Sequence, residues 1–198
     1  MPVSSRAPAA AAAIDTRPVI LFLGTSLTAG LGLDPAQAYP ALIQQRLDAQ
    51  GRRYRAVNAG VSGETSTGAL RRIDWLLRQP VAVLVIETGA NDGLRGHDPQ
   101  LTRGNIEAII DRARRQEPPP KIVLAGMEAP HNYGEAYRRG FRAVYPELAR
   151  KTGAALIPFL LDGVAGEPTL NQADGIHPTA GGQRRIADTV WRTLEPLL

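Results

Sequence analysis

From residue 18 onward the chain alternates short apolar runs with longer stretches of helical periodicity, and this alternation constrains the fold more than any other feature. "PVILFLG" (18–24) is a continuous apolar run of strand length closed by glycine, the pattern of a strand buried on both faces. "AQAYPALIQQRLDAQG" (36–51) reads as a helix, with Pro40 in its first turns and Gly51 as its stop signal. "YRAVNAG" (54–60) predicts a second strand. "TSTGALRRIDWLLRQ" (65–79) predicts a helix, with Leu70, Ile73, Leu76 and Leu77 at helical spacing. "VAVLVIETG" (81–89) is the strongest strand signal, six apolar residues closed by polar ones. A helix over 101–115 carries Ile106, Ile109 and Ile110 on one side. The strand "KIVLAGM" (121–127), a helix over 135–153, the strand "AALIPF" (154–159) and a helix over 180–198 complete the series.

Strands separated by helices imply a parallel sheet covered on both faces, joined by right-handed crossovers. The expected fold is a three-layer α/β/α, flavodoxin-like arrangement with a five-stranded parallel sheet in the order 2-1-3-4-5. Neither an internal repeat nor a linker interrupts residues 18–198, which are expected to form one domain. The stretch before it, "MPVSSRAPAAAAAIDTR" (1–17), is low in complexity and is expected to be a flexible tail or the remnant of a trimmed leader. With a trimmed leader the protein would be periplasmic or secreted, and otherwise cytoplasmic.

Composition removes several chemistries. The 198 residues include no cysteine, so disulfides, thiolate metal sites and a cysteine nucleophile are excluded. No run reaches the roughly 18 apolar residues of a membrane span, and no stable membrane association is expected. A net charge of +4 raises the question of nucleic acid. The arginines, however, are scattered among Asp and Glu in pairs such as Arg52-Arg53 and Arg71-Arg72, and aromatic residues make up only 5%. That is a solvated arginine surface, without the aromatic platforms of a nucleic-acid binder.

In an open parallel sheet, sites form beyond the carboxyl ends of the strands. Four segments fall there or before the last helix: "GTSL" (24–27), "NAGVSGET" (58–65), "ETGANDG" (87–93) and "DGIHPTAGG" (174–182). Together they offer a serine, glycine-flanked backbone amides, an asparagine, an aspartate and a histidine, the inventory for acyl transfer by an activated hydroxyl. Ser26 is the candidate nucleophile; its alternative is a helix N-cap. His177 is singled out from His97 and His131 by Asp174 three residues earlier. That carboxylate can hold one imidazole nitrogen and free the other to take the serine proton; an ordinary loop turn is the alternative. The backbone N–H groups of Ser26 and Gly63 and the side-chain amide of Asn91 are candidate oxyanion donors, with glycine at 63 expected for its lack of an obstructing Cβ. A simple turn at Gly63 and an Asx-turn at Asn91 are their structural alternatives. No G-x-S-x-G, S-x-x-K, H-E-x-x-H or phosphate-loop motif is present.

The phrases "LGTSLTAGLGL", "AYPALIQQRL", "VNAGVSGETS", "ETGANDGLRG", "PHNYG" and "DGIHPTAGGQ" occur in the order and spacing of the SGNH (GDSL) hydrolases. The chain resembles that family from residue 18 onward, on the side of its thioesterase/lysophospholipase and arylesterase branch. The resemblance implies Ser26 as nucleophile, His177 as base then acid, Asp174 as its orienting partner, and Ser26, Gly63 and Asn91 as the oxyanion hole. It implies neither metal nor organic cofactor, and a small-molecule ester as substrate. One position departs: the family's usual aspartate before the nucleophile is Thr25 here. The loops over 88–94, 130–133 and 160–176 are expected to shape the pocket, with Thr25, Thr88, Ala90, Leu94, Pro130, Tyr133 and Ile176 as its candidate residues. A carbohydrate O-deacetylase with the same triad and a catalytically impaired binding module are the alternative functions.

Overall fold

The structure is a computed structural model that describes residues 15–198; most of the tail expected over 1–17 lies outside the described residues. Five strands, β1 (Val19–Gly24), β2 (Arg55–Gly60), β3 (Val83–Ile86), β4 (Lys121–Ala125) and β5 (Ala155–Ile157), form one parallel sheet in the order β2-β1-β3-β4-β5. This is the expected order. The strands' apolar content follows their place in it: all six residues of β1 and all four of β3, in the middle, are buried, whereas β2 at the edge is mostly half-buried. A strand flanked by neighbours and covered on both faces must be apolar at every position, and an edge strand need not be.

The helices are α1 (Ser26–Ala29), α2 (Tyr39–Ala49), α3 (Ser66–Leu76), α4 (Ala90–Leu94), α5 (Pro99–Ala113), α6 (Glu135–Thr152) and α7 (Ala180–Leu194). Helix α2 packs beside α7, while α3, α5 and α6 pack in succession, giving the two outer layers. Helix α7 buries Ile186, Val190, Trp191 and Leu194 and leaves Arg184, Arg185, Asp188 and Arg192 to water. At roughly 1.5–3 kcal/mol for each large apolar side chain buried, this stripe holds α7, and with it the loop bearing His177, against the sheet.

Two short helices, α1 and α4, were not predicted, and both sit at the ends of central strands. The run over 81–89 supplies fewer ladder residues than its length suggests. After Ile86 the chain makes one more sheet bond, Glu87 N–H to Leu23 C=O at 2.8 Å, then turns at Gly89 (φ 103°) into α4. From β1 the chain goes first to β2 and then back past β1 to β3. The crevice beyond the carboxyl ends of β1 and β3 is therefore the switch point where an α/β sheet opens a site.

Candidate active site

Local sterics shape the turn after β1. Gly24 and Gly60 are register partners on β1 and β2. A Cβ on Gly24 would collide with Thr28 Oγ1, and one on Gly60 with the backbone N of Ala29. The two glycines thus let α1 fold back directly over the strand ends. Thr25 occupies the N-cap, its Oγ1 accepting a long 3.5 Å bond from Leu27 N–H, so Ser26 is the first helical residue and not the cap. The carbonyls at the far end of this single turn are satisfied from outside: Asn58 Nδ2 donates to Thr28 O (2.9 Å) and Gln183 Nε2 to Leu27 O (3.0 Å). Ser26 is 8% exposed. It forms the floor of a cleft and does not stand out from the rim.

His177 reaches this floor from the loop before α7. Its Nε2 lies 3.0 Å from Ser26 Oγ and its Nδ1 2.6 Å from Asp174 Oδ2. Asp174 Oδ1 also accepts the backbone N–H groups of Ile176 (2.9 Å) and His177 (3.0 Å). The hydrogen bond from His177, together with those two backbone donors, holds the Asp174 carboxyl well below the usual carboxylate range. An ionised Asp174 accepts from Nδ1–H, which leaves Nε2 as an acceptor aimed at the serine hydroxyl. The loop is pinned by Gln172 N–H to His177 O (2.7 Å) and by a bridge between Asn171 and Pro178. The other histidines lie elsewhere: His131 on the cleft wall, and His97 with Nδ1 3.8 Å from buried Asp92.

Across the serine, Gly63 and Asn91 close the site. Gly63 adopts φ +77°, and a Cβ there would meet nothing within 4 Å. The left-handed backbone is by itself a reason for glycine here, independent of the expected one that a missing Cβ leaves room for the reacting oxygen. Asn91 sits in α4, where its Nδ2 donates 3.0 Å to Glu64 O, beside Gly63. It forms no Asx-turn, and one amide hydrogen remains. Among the described residues the backbone N–H groups of Ser26 and Gly63 have no protein acceptor. The hydroxyl, the imidazole and these donors open into a cleft of about 840 Å3 with Leu31, Leu94, Met127, Phe159, Leu161 and Ile176 in its wall.

The expected pocket residues divide. Ala90, Leu94, Pro130 and Ile176 line the cleft. Thr25, Thr88 and Tyr133 do not: Thr25 and Thr88 are buried beneath it, each 1% exposed, because their side chains point into the layers below the loops. Tyr133 spends its hydroxyl on Leu94 O (2.9 Å) and packs at a tilt against Tyr137 outside the cleft. Among the described residues no three His, Asp or Glu side chains converge as a metal-ligand set.

The model of the GDSL-like lipase/acylhydrolase family matches residues 22–185. The chain belongs to that family. It is 44% identical over 180 residues to esterase TesA of Pseudomonas aeruginosa, covering 90% of this chain and 89% of the relative. It is 40% identical over 190 residues to thioesterase 1/protease 1/lysophospholipase L1 of Escherichia coli strain K12, covering 95% and 87%. The crystal structure of the psychrotrophic esterase EstA from Pseudoalteromonas, inhibited by monoethylphosphonate, superposes with a TM-score of 0.84 at 34% identity over 90% of this chain and 97% of that one. Family, fold and relatives together make this chain a serine hydrolase of the SGNH esterase type.

Two residues of this SGNH site escaped the sequence reading. Arg72, read as part of a solvated arginine pair, lies beneath the segment that carries Gly63. It grips Glu64 with Nε (2.7 Å) and Nη2 (2.6 Å) and donates to Ala59 O (2.7 Å). With Arg95 donating to Gly63 O (3.1 Å), it fixes the segment that carries Gly63. The second is Glu87, fully buried, whose carboxylate accepts Thr25 N–H (2.7 Å), Thr25 Oγ1–H (3.0 Å) and Thr28 Oγ1–H (2.8 Å). The signal for it was present: a carboxylate directly after six apolar residues of a two-face-buried strand cannot reach water and must find donors inside.

Burial pushes the Glu87 carboxyl up to about 7, with the Thr25 and Thr28 hydrogen bonds opposing it. The folded state therefore holds this proton more tightly than the unfolded chain. The stabilisation is complete below the ordinary glutamate range and is lost as pH rises through about 7. Over that window the wild type loses about 3 kcal/mol from this group. Urea midpoints at pH 5 and pH 7.5 are expected to fall further for the wild type than for Glu87→Gln, and equal falls would refute the linkage.

Proposed function

We propose that this protein hydrolyses short- to medium-chain carboxylic esters, with aryl or alkyl leaving groups, through an acyl-enzyme on Ser26. The observation that carries the reading is the unbroken relay Asp174 Oδ2, His177 Nδ1 and Nε2, Ser26 Oγ, at 2.6 and 3.0 Å, opening into an apolar-walled cleft. Its volume of about 840 Å3 falls within the range of small-molecule sites.

As Ser26 Oγ attacks the ester carbonyl carbon, His177 Nε2 takes the hydroxyl proton and the carbonyl π pair moves onto oxygen. That oxyanion is met by the free N–H groups of Ser26 and Gly63 and by the second amide hydrogen of Asn91. Asp174 keeps the ring in its productive tautomer and stabilises the imidazolium. Collapse breaks the bond to the leaving alcohol or thiol, which departs with the proton from His177. Water then loses a proton to His177 and adds to the acyl carbonyl, and Ser26 Oγ leaves with the proton restored. The names of the relatives (esterase, thioesterase, lysophospholipase) support acyl esters and thioesters as the substrate class. The apolar walls favour an acyl chain over an acetylated sugar.

Hydrolysis of p-nitrophenyl esters from acetate to palmitate tests the reading, with an organophosphonate and peptide mass spectrometry locating the labelled residue. Turnover of the shorter esters with label on Ser26 is expected. Absence of both turnover and label would overturn it. Within the same assay Asn91→Ala is expected to lower kcat by about 10²–10³ with little change in KM, the usual loss for one oxyanion donor. An unchanged kcat would remove Asn91 from the hole.

A further inference from the structure

We propose that Glu87 is a positioning residue for the nucleophile: through Thr25 and Thr28 its buried carboxylate fixes the turn on which Ser26 stands. The inference rests on the serine-esterase reading above and adds a residue that never touches substrate.

Glu87 has no cationic partner among the described residues; its acceptor capacity goes to neutral donors on either side of Ser26, the residue immediately before it and the one two after it. The Thr28 hydroxyl has one proton, and giving it to Glu87 Oε2 obliges Thr28 Oγ1 to accept from Tyr39 Oη, 2.7 Å away. The result is a one-way chain, Tyr39 to Thr28 to Glu87, joined by the two bonds from Thr25. Its space is closed: a Cβ on Gly24 would strike Thr28 and approach Glu87 Oε2 to 2.7 Å. Other ionisable groups near the carboxylate come from three elements. Tyr39 from α2 bonds Thr28 (2.7 Å), Tyr145 from α6 donates to the O of Thr88 next to Glu87 (3.0 Å), and Arg72 from α3 donates to the adjacent Gly24 O (3.3 Å).

Thr25 supplies an N–H and an O–H and no competing charge. A turn held from both flanks keeps Ser26 Oγ within 3.0 Å of His177 Nε2, and a displacement on the order of 1 Å at such a distance costs about a hundredfold in rate.

Four variants test this on p-nitrophenyl butyrate above pH 8, where the Glu87 carboxyl is ionised, with kcat, KM and the rate of phosphonate labelling of Ser26 as readouts. Thr25→Val removes the hydroxyl at nearly constant volume. It is expected to lower kcat and labelling by roughly 10- to 100-fold while KM stays within about twofold. Thr25→Ser keeps the donor and is expected to return most of the rate. Glu87→Gln, which turns a donor toward Thr25 and Thr28, should fall at least as far as Thr25→Val; if it does not fold, Thr28→Val takes its place, removing the second flank. A loss in kcat rescued by serine supports the role. Folded Thr25→Val and Glu87→Gln with kcat near wild type, a serine variant as slow as the valine one, or an effect confined to KM would each overturn it. The control Ser26→Ala separates the two readings: if it stays active, the mechanism on Ser26 has failed and the positioning role falls with it, whereas an inactive Ser26→Ala beside unimpaired Thr25 and Glu87 variants overturns the positioning role alone.

Discussion

Ser26→Ala is expected to lower kcat on p-nitrophenyl esters by about 10⁶, as in other enzymes that use a serine–histidine pair. No neighbour can take over the attack. Thr25 Oγ1 and Thr28 Oγ1 are the nearest hydroxyls in sequence, and both are committed to the buried Glu87. Loss of the histidine should be equivalent, because a serine hydroxyl without a base is a poor nucleophile at neutral pH. His177→Ala and the double variant are therefore expected to match Ser26→Ala within a few-fold, instead of multiplying its effect. What survives is the contribution of the oxyanion donors and the cleft, roughly 10³–10⁴ over water. Single-turnover measurements with purified variants would decide it; a Ser26→Ala protein keeping more than about 1% of wild-type kcat is incompatible with an acyl-enzyme on that residue.

Asp174→Asn should be the next most damaging change, at about 10⁴ in kcat. The substitution separates two jobs of this side chain. Oδ1 accepts the backbone N–H groups of Ile176 and His177 and so builds the turn; an asparagine carbonyl oxygen still does this. Oδ2 accepts from His177 Nδ1, and there asparagine presents an N–H in place of an acceptor. The ring then favours the tautomer with its proton on Nε2, facing Ser26, and can no longer take the hydroxyl proton. The variant should fold like the wild type by circular dichroism, bind esters with similar KM and turn them over slowly. A kcat within tenfold of wild type would mean that Asp174 serves the turn and not the imidazole.

The order of the sheet was legible because each central strand is apolar along its whole length. The runs over 18–24, 81–86 and 122–125 have no polar face to present to water, so they belong between neighbours and under helices. The positions of Ser26, Gly63 and Asn91 followed from the same topology, since polar residues just after such strands gather at one edge of the sheet. The pocket was less legible. Thr88 and Tyr133 neighbour cleft residues in sequence, yet a loop turns its successive side chains in different directions, and hydrogen bonding drew Tyr133 to Leu94 O. Arg72 was unreadable for a similar reason: its neighbour Arg71 is exposed, and only the crossing of α3 past the carbonyls of β1 and β2 distinguishes the two.

Periodicity and residue type, which act over a few neighbours, were enough to establish a doubly covered parallel sheet and to bring a serine, a glycine, an asparagine and an Asp-x-x-His loop to one end of it. The distances that turn those residues into a relay arise between segments 26, 63, 91 and 177, far apart in the chain, and packing alone sets them. The same holds for threonine at 25. In the sequence it is a departure from a family pattern. In the folded protein it is a donor to a carboxylate 62 residues away, placed against it by the pairing of β1 with β3. A hydrogen bond across strands needs a register, and a register exists only once the sheet has formed.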